Sequence, residues 1–93
     1  MKSLFWLSYH CEHGPFGVVI LEARDLLEAR MLVALNGIDK GAHFSEGYPL
    51  SVQCAAMISA GSLDRMLPSH EADRLSVWIE SEAARKGIPA RQA

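Results

Sequence analysis

Four side chains able to bind a transition metal or move a proton stand side by side near the start of the chain: His10, Cys11, Glu12 and His13, within YHCEHGPFG. Imidazole, thiolate and carboxylate are the ligands that zinc takes, and a thiol beside an imidazole is also what a cysteine nucleophile needs. Their spacing argues against both chemistries. Structural zinc sites draw their ligands from two separated pairs, whereas no second pair follows here, His43, Cys54 and His70 each being isolated. On an extended strand, neighbours point to opposite faces, so His10 and Cys11 cannot converge unless the chain bends between them. His10, Cys11 and His13 are the candidate metal ligands. The competing reading is a strand end, with Cys11 continuing an apolar face beside Tyr9 and His10, Glu12 and His13 solvated.

A nucleophilic site would require Cys11 or Cys54 to meet a histidine, and neither is accompanied by an oxyanion-hole signature or a Gly-rich phosphate loop. The sequence therefore argues against an enzyme and calls for no cofactor. What must be explained next is which elements carry these residues.

Ninety-three residues, 49% hydrophobic and 22% charged, make one globular domain with a modest core. A net charge of −2 offers no basic face to a nucleic acid, and no basic run suits a membrane surface. Two cysteines far apart and outside any C-x-x-C pattern fit a reducing cytoplasm better than a disulfide framework. The first residues, MKSLFWLSYHC, are broken by Ser8 and His10 and lack a signal-peptide core, and no apolar run is long enough to span a bilayer. A cytoplasmic location is expected.

LFWLSYH at 4–10 suits a half-buried strand with Phe5, Leu7 and Tyr9 toward the core and Leu4, Trp6, Ser8 and His10 on the other face. Gly14, Pro15 and Gly17 punctuate the chain before VVIL, so residues 4–23 read as a hairpin. Asp25 and Glu28 have the spacing of a capping box, and Asn36-Gly37-Ile38 that of a helix stop, predicting a helix over 26–36. At about 100° per residue, Leu27, Met31, Ala34 and Leu35 cover one side of this helix and Leu26, Ala29, Leu32 and Val33 the other. Such a helix needs two covering layers. It is either the central core helix, with the hairpin below and the last helix above, or it turns a face to a second subunit.

AHFSEGYPL at 42–50 reads as a third strand, with Gly47 at a bulge or bend and Pro49 restricting it to an edge or an end. Ser51 caps a short helix running toward Gly61, followed by a turn-like SLDRMLP. Ser69 caps the last helix, whose apolar stripe is Ala72, Leu75, Trp78, Ile79 and Ala83 and which stops at Gly87 and Pro89.

The expected fold is α+β, order ββαβαα: a small antiparallel sheet, built from the N-terminal hairpin and the third strand, covered by two to three helices. One domain spans 1–88, and 89–93 is a mobile tail. The expected function is that of a non-enzymatic interaction or regulatory module acting as a homodimer, its partner another copy or another protein. The alternatives are a small metal-binding protein using His10, Cys11 and His13, and a DNA-binding regulator using residues 51–86 as a helix-turn-helix. The slightly acidic balance of 51–86 speaks against the last.

Overall fold

The computed structural model describes residues 1–92, and they form a four-stranded antiparallel sheet with helices on both faces. β1 (Ser3–Cys11) and β2 (Gly14–Ala23) are the expected hairpin, and β1 lies inside the sheet, in the order β3-β1-β2-β4. β3 (His43–Pro49) is an edge strand, as Pro49 requires, because an edge leaves no ladder amide unmade. β4 (Met66–Pro68), which runs through the segment read as a turn, forms the other edge by pairing Leu67 with Val18. Three residues are too few to show alternation, which is why the sequence hides this strand.

Both faces of the hairpin are buried, where one core was expected. Phe5, Leu7, Tyr9, Val19 and Leu21 pack on one side against Ala29 and Val33 of α1 (Leu26–Leu35). Trp6, Val18, Ile20 and Leu67 pack on the other side against Cys54 of α2 (Val52–Ala55) and against Ala72, Ile79 and Ala83 of α3 (Ser69–Lys86). β2 reads VVIL without alternation because each of its faces meets a helix. The architecture is thus the expected α+β domain, ordered ββαβαα with β4 inserted before the last helix.

Local chemistry sets the element ends. The Asp25 carboxylate accepts from the Glu28 amide at 2.8 Å and caps α1, while the Glu28 carboxylate reaches one residue beyond the usual box, to the Arg24 amide at 3.0 Å. Ser51 caps α2 by accepting from the Cys54 amide at 3.1 Å. α2 ends after one turn, and a 3-10 turn over Ala60–Ser62 follows instead of more helix. At α3 the cap position falls to Pro68, with no side-chain bond, and Ser69 is the first helical residue.

The bulge in β3 lies at Ser45, which is extra opposite Ser8 and Tyr9, and not at Gly47. Gly47 serves a close approach instead: a Cβ there would stand 2.6 Å from Leu7 Cδ2 and 2.9 Å from Leu26 Cδ1, so α1 could not sit on the sheet. Gly17 does the same for the opposite edge, where a Cβ would meet the Leu67 carbonyl oxygen at 2.3 Å.

The segment expected to be a mobile tail lies along β3 through residue 92; residue 93 is outside the described residues. The Ser51 amide donates to Ala90, the Gln92 amide donates to Pro49, and the Arg91 guanidinium stacks 3.8 Å from the Tyr48 ring centre. Among the described residues no helix is long and apolar enough to cross a membrane.

Candidate functional site

β1 carries Tyr9, His10 and Cys11 to the hairpin end, and alternation separates them as a strand must: Tyr9 is buried, His10 exposed, Cys11 half-buried. Glu12 and His13 form the exposed tip, where His13 Nε2 lies 3.5 Å from Glu12 Oε1. β1 runs through both His10 and Cys11, its ladder to β2 irregular between Tyr9 and His10, and alternation sets the two neighbours on opposite faces. Among the described residues no three His, Cys, Asp or Glu side chains gather where they could hold a metal ion.

His10 finds its partners across the sheet. β1 and β3 pair it with His43, the two ring centres lying 5.7 Å apart, and its Nδ1 is hydrogen-bonded to the hydroxyl of the bulged Ser45. Neither His43 nor Ser45 was a sequence candidate. A third strand over 42–50 was legible, but which of its residues faces His10 depends on the bulge, and nothing in the sequence sets that register.

The two cysteines are free. Cys54 is buried on the α3 side, its thiol directed at the Pro89 carbonyl 3.6 Å away. Cys11 lies half-buried at the hairpin end, at the last position of β1. Residues 51–67 do not make a helix-turn-helix, since α2 has four residues, the second helical piece is the three-residue 3-10 turn, and Met66 and Leu67 belong to β4. Arg65 and Arg85 pair at the surface with Glu71 and Glu82.

The largest departure from an ordinary surface is on α1. Only Ala29 and Val33 are buried in that helix, while Leu27, Met31 and Leu35 are 66%, 52% and 78% exposed. The covering helix α3 lies on the opposite face of the sheet, so the outer side of α1 has no layer above it among the described residues. Leu27, Met31 and Leu35 recur every fourth residue and make one ridge along the helix.

Beside that ridge runs a groove of about 400 Å³, lined by Leu27, Met31 and Ala34 on the helix side and by Tyr9, Ala42 and Phe44 on the sheet side. The Arg30 guanidinium sits 4.2 Å over the Phe44 ring, and Phe44 meets Tyr9 edge to face at 5.8 Å. Burial first, and then the nearby Asp39 carboxylate, push the Tyr9 hydroxyl above its ordinary pKa, with Arg30 opposing. The groove therefore presents apolar walls and a neutral phenol at neutral pH, with the Arg30 guanidinium, the Asp39 carboxylate and the His43 ring also among its lining. A second apolar spot, Val77 and Trp78 of α3, faces solvent on the other side of the molecule and lines a hollow of about 510 Å³.

Compared with protein-family models, curated proteins and solved structures, the chain matches none.

Proposed function

We propose that this protein is a non-enzymatic interaction module of the cytoplasm that works as a homodimer joined through the outer face of α1. The observation that carries this reading is the ridge of Leu27, Met31 and Leu35, solvent-facing on a helix whose charged residues lie only at its flanks. Three large apolar side chains in one row are costly to leave in water, at roughly 25 cal/mol per Å², and a contiguous row of this kind is the usual mark of a contact surface. The ridge lies next to the groove of Tyr9, Ala34 and Phe44, so one patch holds a projection and a recess. A twofold axis sets each copy's ridge into the other's recess, which is the self-complementarity that a symmetric pair requires.

Size limits the strength of the pair. A ten-residue helix is about 15 Å long, so this patch is smaller than the roughly 800 Å² per partner of a standard interface. The dimer belongs to the reversible class, with a dissociation constant in the micromolar range. Sedimentation velocity across that range tests it. The sedimentation coefficient rises with concentration in the native chain, and Met31→Glu holds it at the monomer value by burying a charge in any such contact. A native chain that stays monomeric at every concentration overturns the homodimer.

A further inference from the structure

We propose that His10 and His43 form a two-imidazole site for a divalent transition-metal ion on the sheet surface, oriented by Ser45. This goes beyond the homodimer reading; the two share His43, which also lines the groove beside α1, while His10 lies exposed at the hairpin end.

The strands bring the two rings together without help from a flexible loop. His10 and His43 are directly opposed in the antiparallel β1–β3 pair, where facing Cβ atoms stand about 4.5–5.5 Å apart. Two imidazoles on one tetrahedral ion, with N–metal distances of about 2.0–2.1 Å and a ring radius of about 1.2 Å, have ring centres roughly 5 Å apart. The observed 5.7 Å differs from this by an amount that a small side-chain rotation closes. Both histidines are exposed, so an ion enters from solvent and keeps water in its remaining positions.

Ser45 supplies the outer contact that such a ligand needs. Its hydroxyl lies on His10 Nδ1; when Nδ1–H donates to that oxygen, the lone pair is on Nε2, free for a metal. The β3 bulge is what brings this hydroxyl to the ring, because Ser45 is the residue without an opposite number in β1. The donor set selects the ion class: imidazole nitrogens suit Cu²⁺, Ni²⁺ and Zn²⁺, while Mg²⁺ and Ca²⁺ require oxygen. Cys11 and His13 take no part, Cys11 pointing to the other side of β1 and His13 standing on the hairpin tip beside Glu12.

Calorimetric titration of the untagged chain with Ni²⁺ and with Zn²⁺, read together with amide NMR shifts, tests the site. One equivalent binds, and the shifts centre on residues 10, 43 and 45. His10→Ala and His43→Ala each weaken binding at least about 10-fold by leaving a single imidazole, and Ser45→Ala weakens it by about 10-fold or more through loss of the orienting contact. Cys11→Ser and His13→Ala bind as the native chain does. All five substitutions are at residues that are not fully buried, and circular dichroism confirms that each variant is folded. The site is overturned if neither ion binds, if His43→Ala binds like the native chain, or if Cys11→Ser or His13→Ala abolishes binding.

Discussion

α3 and α1 cover opposite faces of one sheet, yet they dispose of their outer sides differently. The eighteen residues of α3 bury Ala72, Ile79 and Ala83 and turn mostly charged and polar residues outward, with Val77 and Trp78 as the apolar exceptions. The ten residues of α1 bury only Ala29 and Val33 and turn Leu27, Met31 and Leu35 outward. Small residues suffice beneath α1 because Gly47 lets the helix approach closely. The outer leucines and methionine therefore have no role in holding α1 to the sheet, whereas each large apolar residue under α3, such as Leu67 or Ile79, fills the core it faces. An amphipathic pattern accounts for a folded layer, and an apolar excess beyond that layer calls for another surface.

If the two faces are separate cores, a large truncation in one leaves the other intact. Leu7→Ala on the α1 side and Leu67→Ala on the α3 side each remove a fully buried leucine, at a cost of about 2–5 kcal/mol apiece. The residues lie two strands apart, at about 10 Å, so the double variant should lose the sum to within about 0.5 kcal/mol. Urea unfolding of the four proteins measures this, and strong non-additivity would mean that the faces act as one core.

The helix starts differ on a smaller scale. α1 depends on the Asp25 carboxylate, so Asp25→Ala should lower stability by about 1 kcal/mol. α3 starts without a side-chain cap, and the Ser69 hydroxyl makes only a 3.5 Å contact with the Pro15 carbonyl oxygen. Ser69→Ala should cost no more than about 0.5 kcal/mol. Equal losses in thermal unfolding would remove this asymmetry between the layers.

Outward substitutions should barely alter folding. Met31→Glu and Val77→Glu each change the stability of the monomer by no more than about 0.5 kcal/mol. They differ in association: only Met31→Glu should shift the sedimentation profile, and a shift with Val77→Glu would move the contact surface from α1 to α3.

The hairpin, α1, β3 and α3 were legible because each carries a period or a stop that local physics produces: the Asp25 cap, the break at Gly14 and Pro15, Gly87 after the last helix. β4 was not legible, since three residues show no period. The apolar character of α1 was also readable, but not which layer it lacked, because the side of the sheet taken by α3 is a matter of tertiary packing. Trp78 illustrates the same limit: helical spacing put it on the buried stripe with Ile79, yet it lies at the border of that stripe and is 46% exposed. At the hairpin end, composition drew attention to His10, Cys11 and His13, whereas geometry joins His10 to His43 and Ser45. Residue types are visible in a sequence; register across a bulged edge strand is not.

Each layer carries one of the chain's two tyrosines, and at neutral pH neither reveals a difference because both are uncharged. Burial is the main cause that raises both hydroxyls above their ordinary pKa: Tyr9 beneath α1, with Asp39 adding and Arg30 opposing, and Tyr48 beside Trp6, with Arg91 opposing. A raised folded pKa means that the neutral phenol is preferred in the fold. The resulting stability is fully present below the unfolded value near 10 and is lost as pH rises through the folded one. Tyrosinate absorbance should therefore develop later than in the unfolded chain and together with alkaline unfolding. Tyr9→Phe and Tyr48→Phe should each remove one step of that absorbance and part of the alkaline loss. Arg91→Ala should push the Tyr48 step still higher, because the guanidinium stacked on that ring is what favours its ionised form. A Tyr48 step that moves down instead would show that Arg91 acts by excluding water from the ring and not by its charge.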